Sequence, residues 1–144
     1  MKIVRLKAKT KAMKGFGRAE WSLVHPEHFG HKQDKKYWEK VKFNFCAKEG
    51  SEILGMLDGY YMGGVMYVSQ LIVGHKRRRQ GVGQALMKAA EKIATKNKIH
   101  KIYLHTGVDW KAADFYERLG YQKEARLEKH YEEQDFWVMS KFLD

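Results

Sequence analysis

The hydrophobic period changes midway between Val65 and Ile93, and no other feature narrows the possible folds as much. Val65 to Val73 is rich in β-branched residues and reads as a strand. Farther on, Val82, Ala85, Leu86, Ala89 and Ile93 fall at i, i+3, i+4, i+7 and i+11, which is one face of a helix. The loop between them contains His75-Lys76-Arg77-Arg78-Arg79-Gln80-Gly81. A helix entered from such a loop presents unpaired backbone N–H groups and a partial positive charge, and together these bind phosphate. Gly81 and Gly83 let the backbone approach a pyrophosphate with no Cβ in the way. Arg77, Arg78 and Arg79 add charge for a ligand with several phosphates.

Two common phosphate loops are excluded. The string G-x-x-x-x-G-K-[ST] does not occur, and Gly81-Val82-Gly83 lacks the third glycine of G-x-G-x-x-G.

The rest of the chain fits the same α/β pattern. Met1 to Leu6 alternates and reads as a short strand. Residues from 15 to 40 are polar, aromatic-rich and interrupted by Pro26, which predicts two short helices, the second over Lys35 to Lys40. Val41 to Lys48 and Ile53 to Tyr61 read as strands joined by Glu49-Gly50-Ser51, and Gly63-Gly64 leads into Val65 to Val73. Ile99 to Thr106 is a further strand. Trp110 to Leu119 is helical, with Ala112, Phe115, Tyr116 and Leu119 on one side and Gly120 as a left-handed C-cap. Tyr121 to Leu127 and Phe136 to Phe142 close the domain.

Composition bounds the function. At 144 residues the chain fits one domain able to build a core without staples. No apolar run is long enough to cross a membrane. Met1 to Lys7 lacks a secretory pattern, and Cys46 has no second cysteine to pair with, so a cytoplasmic location is the expectation. No cluster has metal-ligand spacing; His25 and His28 flank Pro26 with no second pair, so no metal is expected. The formal charge is +11, which calls for an anionic partner or marks a soluble basic surface. Residues 124–135 run against this trend, with Glu124, Glu128, Glu132, Glu133 and Asp135 against Arg126 and Lys129.

The pattern R-x-x-G-x-G from Arg78 to Gly83, preceded by Leu71-Ile72-Val73, resembles motif A of the GNAT superfamily of N-acetyltransferases. Asp109-Trp110-Lys111-Ala112-Ala113-Asp114-Phe115-Tyr116-Glu117-Arg118-Leu119-Gly120-Tyr121 resembles its motif B, N-x-x-A-x-x-[FL]-Y-x-x-x-G-[FY], with Asp109 in place of the usual Asn. The likeness covers residues 41 to 143; the first 40 match only in coarse order.

The resemblance implies a single α/β domain over residues 1–144. It implies a mixed, mostly antiparallel sheet of about seven strands and about four helices, split between the strands ending near Val73 and Thr106. It also implies acetyl-CoA as cosubstrate. Pantetheine would run along Leu71, Ile72 and Val73 and pair with the backbone of Leu71 and Val73. The N–H groups from Arg79 through Gln80, Gly81, Val82 and Gly83 to Gln84, with the Arg78 charge, would hold the pyrophosphate. Phe115 would border the cofactor. A backbone N–H near Leu71 would polarise the thioester carbonyl, and Tyr116 would protonate the departing thiolate.

Several positions carry two readings. Tyr116 is either that acid or a core aromatic. Asp109 either accepts a hydrogen bond from pantetheine or caps the following helix. His105, near the split, is either the general base or a packing residue; Ser69 and Gln70 cannot serve as the base directly, and a water relay from Glu20 or Tyr60 has nothing further to support it. The acidic segment is either a site for a cationic primary amine (a peptide N-terminus, a lysine or a polyamine) or a solvated turn. Outside amine acetylation, the alternatives are a silent acyl-CoA sensor and a basic nucleic-acid-binding protein. An accessory nucleic-acid contact, and a monomer or homodimer, fit the same sequence.

Overall fold

The computed structural model describes residues 1–143, which form two compact units, 1–36 and 37–143. In the first, α1 (Lys11–Phe29) is one continuous helix. The break expected at Pro26 does not occur. Proline has a helical φ and removes only one donor, and here it sits in the last turn. Both ends of α1 are capped: Thr10 Oγ1 accepts from the Met13 N–H at 3.1 Å, and Gly30 (φ 75°) donates to the Pro26 carbonyl at 2.8 Å. Met1–Leu6 is exposed and irregular, not a strand. Alternating charge without apolar burial leaves that backbone to water. Lys35–Lys40 is a turn rather than a helix, opened by Asp34 Oδ1, which accepts from the Lys36 N–H at 3.0 Å.

The second unit holds a sheet of six strands, one fewer than expected. They are β1 (Val41–Glu49), β2 (Glu52–Met62), β3 (Val65–Val73), β4 (Lys101–Gly107), β5 (Gln122–Leu127) and β6 (Phe136–Phe142). Their spatial order is β1-β2-β3-β4-β6-β5, antiparallel except for β3 beside β4. Helices α2 (Val82–Lys96) and α3 (Ala112–Arg118) bring the α-helices among the described residues to three, not four.

Core packing follows strand alternation. Met66 and Val68 of β3, with Ile102 and Leu104 of β4, are buried on one sheet face together with Leu86, Met87, Ala90 and Ala94 of α2. Burying Leu86 and Met87 contributes roughly 1.5–3 kcal/mol each. The buried face of α2 is rotated from the expected one: Ala85 is exposed, while Met87 and Ala90 are buried. Lys141 of β6 ties these layers together, donating to Glu91 Oε1 at 3.1 Å and to the Leu119 carbonyl at 2.8 Å. The Tyr121 hydroxyl donates to the same Glu91 oxygen at 3.3 Å.

Two irregularities position the site. Asp58 pairs with Gln70 and Gly59 with Val68, so Ser69 is an extra residue bulged out of β3. In addition, β3 and β4 pair only at Val65/Lys101, Met66/Ile102 and Tyr67/Tyr103. Beyond that row they part, which is the split expected between the strands ending near Val73 and Thr106.

Candidate active site

The split opens into a groove of 1390 Å³ on the α2 side of the sheet. This exceeds the roughly 300–1,000 Å³ of common small-molecule pockets and suits a long ligand. One wall is Leu71, Ile72 and Val73; the end is Arg77, Arg78, Arg79 and Gly81 to Gln84; the other wall includes Trp110, Lys111, Phe115, Tyr116 and Arg118. The groove therefore unites Leu71, Ile72, Val73, Arg78, Arg79, Gly81, Val82, Gly83, Gln84, Phe115 and Tyr116, separated in sequence by up to 45 positions.

Past Tyr67, β3 keeps β2 as its only ladder partner among the described residues, so its other edge faces the split. At the groove's end, the first backbone bond of α2 runs from the Ala85 N–H to the Gly81 carbonyl at 3.0 Å. The N–H groups of Val82, Gly83 and Gln84 precede it and have no intrahelical acceptor. Gly81 caps the helix with φ 81° and no side-chain bond, and Arg79 also lies in the left-handed region at φ 62°. Such a non-glycine conformation costs of order 1–3 kcal/mol, and loops of this kind turn successive N–H groups toward an anion. A Cβ on Gly83 would come 3.2 Å from Phe115 Cζ, closing the floor of the groove. A pyrophosphate-bearing ligand fits these residues.

One expectation needs correction. Asp109 does not cap the following helix: α3 begins at Ala112 with Lys111 at the cap and no side-chain cap bond, and Asp109 is exposed and not among the residues lining the groove. The Trp110 N–H instead donates to the Gly107 carbonyl at 3.1 Å, a tight turn that delays the helix by two residues. Gln80 is not in the groove lining; its side chain donates to the Lys76 carbonyl at 3.4 Å. Arg77 lines the groove, but its guanidinium is held by Glu52 at 2.7 and 3.3 Å, which also raises its pKa, so the uncommitted charge comes from Arg78 and Arg79.

Tyr116 is 8% exposed and borders the groove. Burial pushes its hydroxyl up to about 12, so it is protonated at neutral pH. His105 lies outside the groove, on the opposite sheet face from the α2 core. There it meets Tyr67 at 5.4 Å, Tyr103 at 6.1 Å, His130 at 5.4 Å and Tyr131 at 6.2 Å between ring centroids. Its pKa is lowered, first by burial and then by His130, and its Nδ1 is buried without a hydrogen-bond partner among the described residues.

The acidic segment is partly spent. Asp135 pairs with Arg126 at 2.7 Å and accepts the Lys129 N–H at 2.9 Å; these bonds lower its pKa and pin the loop. Glu124 pairs with Lys101 at 2.6 Å. Glu132 and Glu133 form no salt bridge among the described residues, and both lie at positive φ, 53° and 57°.

Sequence reasoning passed over Trp110, Lys111 and Arg118 on the groove wall, and Tyr67, Tyr103 and Tyr131 around His105. The signal for the first group was cations at i and i+7 of the second motif. For Tyr67 and Tyr103 it was a phenol on the non-core face of an otherwise aliphatic strand.

Residues 13–121 match the model of the acetyltransferase (GNAT) family. None of the curated proteins matches the sequence. Among solved structures, the fold is similar to an acetyltransferase from Bacillus cereus ATCC 14579, at 19% identity and a TM-score of 0.70, covering 97% of this chain and 98% of that one. It is also similar to a GNAT family acetyltransferase from Elizabethkingia anophelis with acetyl-CoA bound, at 18% identity and a TM-score of 0.64, covering 69% and 75%. A third is the PaiA N-acetyltransferase from Thermoplasma acidophilum in complex with coenzyme A, at 16% identity and a TM-score of 0.64, covering 95% and 81%. With the family match spanning most of its length, the chain belongs to the GNAT family of acetyltransferases.

Proposed function

We propose that the protein transfers the acetyl group of acetyl-CoA to a primary amine by direct attack. One observation carries this reading: the open edge of β3 past Tyr67 and the free N–H groups at the start of α2 border the same groove. Pantetheine would run along Leu71 to Val73. The N–H groups of Val82, Gly83 and Gln84 would hold the pyrophosphate, with Arg78 and Arg79 balancing its charge.

The amine nitrogen attacks the thioester carbonyl carbon, forming a C–N bond and placing negative charge on the carbonyl oxygen. A backbone N–H near Leu71 stabilises that charge. The C–S bond then breaks, the thiolate takes the Tyr116 proton, and the second proton lost by the nitrogen as the amide forms returns to the Tyr116 oxygen. His105 removes the proton the attacking ammonium must lose, and its lowered pKa keeps it neutral and ready to accept.

The test is release of free thiol from acetyl-CoA in the presence of alkyl amines, peptides and polyamines. Turnover that depends on an amine is the expected result; binding of acetyl-CoA with no amine acetylated would leave a sensor instead. His105 gives a second expected outcome. Activity of kcat/KM should rise with pH through a midpoint below 6.5, and His105→Gln should remove that limb. An unchanged profile in the variant assigns the base to another group.

A further inference from the structure

Three tyrosines stand side by side in the last row where the sheet is continuous before the split. Tyr60 of β2 pairs with Tyr67 of β3, and Tyr67 pairs with Tyr103 of β4. Their ring centroids are 5.6 and 4.9 Å apart. Burial first, and then the neighbouring phenols Tyr131 and Tyr60, raise the pKa of Tyr67 and of Tyr103 respectively. All three rings are half-buried on the face that carries His105, and none belongs to the buried core.

A phenol row on a partly wet strand face needs a reason, because polar and charged residues hydrate there more favourably. The chain itself points to one. The Lys40 ammonium lies over the Tyr60 ring, 4.0 Å from its centroid. The negative face of a tyrosine ring attracts such a cation. Tyr60 is thus an ammonium site already filled by an exposed, flexible side chain. Two ring-to-ring steps, 5.6 and 5.4 Å, separate it from His105 at the split.

We propose that Tyr60 is the floor of a subsite for the distal ammonium of a linear diamine, whose other nitrogen reaches the split beside His105, and that Lys40 occupies this subsite as a displaceable internal competitor. The proposal rests on amine acetylation as read above. It adds the substrate class: a dication with its charges separated by an extended alkyl chain. Glu132 and Glu133, on the loop that carries Tyr131, contribute a field of the right sign.

The test uses the full-length protein with diaminooctane and octylamine, which share chain length and differ in the distal nitrogen. The wild type should prefer diaminooctane roughly tenfold in kcat/KM, within the range of a desolvated cation–π contact. Tyr60→Leu should abolish the preference, Tyr60→Phe should retain it, and Lys40→Met should lower KM for diaminooctane about threefold. Equal use of the two amines by the wild type, or a preference that survives Tyr60→Leu, overturns the proposal. Calorimetric titration with diaminooctane separates its failure from that of the transfer reading. If neither amine is acetylated, binding weakened by Tyr60→Leu and tightened by Lys40→Met upholds the subsite, and no binding, or binding indifferent to both changes, removes it.

Discussion

Replacing Tyr116 by phenylalanine is expected to lower kcat by about 10²-fold, the lower range for loss of a positioned general acid. The ring fills the same space against Phe115 and Tyr121, whose centroids lie 5.1 and 6.0 Å away, so only the hydroxyl is lost. KM for acetyl-CoA should move little, because the phosphate end of the groove is untouched. Thiol release under saturating substrate measures the change; a kcat within threefold of wild type would mean that the thiolate leaves unassisted. The raised pKa sharpens this. With the hydroxyl at about 12 against an ordinary 10.0, a falling limb of kcat centred below pH 10 belongs to another group. The same shift has a stability consequence of definite sign. The contribution is fully present below pH 10 and is lost as pH rises through about 12, because the unfolded chain ionises first.

Gly59→Ala is expected to be the most destabilising small substitution in the sheet. A Cβ there would overlap the Tyr67 carbonyl oxygen and come 2.9 Å from Phe43 Cζ. Neither neighbour is free to yield: one is backbone of the ladder and the other packs against the core. Overpacking of this kind costs about 3 kcal/mol, which corresponds to a fall in Tm of roughly 10 °C. Gly17→Ala is the control, since a Cβ in that stretch of α1 meets nothing within 4 Å and helix propensity favours it. Thermal melts followed by circular dichroism would decide, and equal Tm values for the two variants would refute the packing account. Any folded Gly59→Ala protein should also bind acetyl-CoA less tightly, because Gly59 faces the Ser69 bulge that leads into Leu71 and Val73.

How legible these features were depends on the range of the interactions behind them. The groove residues from Leu71 to Gln84 and from Phe115 to Tyr116 were readable because each stretch is a local device: a strand running into a glycine-relieved helix start, and an amphipathic turn of helix. Errors clustered where local signals compete with something not local. Pro26 signals a break, yet a helix with caps at both ends runs through it. Asp109 has the chemistry of a cap, but the turn from Gly107 to Trp110 moves the helix start beyond its reach. Alternation in Met1–Leu6 is only half of what a strand needs; the other half is a ladder partner.

By itself the sequence determined the family, the glycine-relieved helix start after β3 and the order along the chain of the six strands from Val41 onward. These follow from periodicity and from backbone preferences spanning a few residues. Tertiary structure alone decided which charges remain uncommitted, since Glu52 takes Arg77 and Arg126 takes Asp135 across 25 and 9 positions. It also decided at which residue pair β3 and β4 part, and that Tyr60, Tyr67 and Tyr103 form one row. Strand register sets both, and register is fixed by the bulge at Ser69 and by core packing on the far face, which no short window of sequence contains.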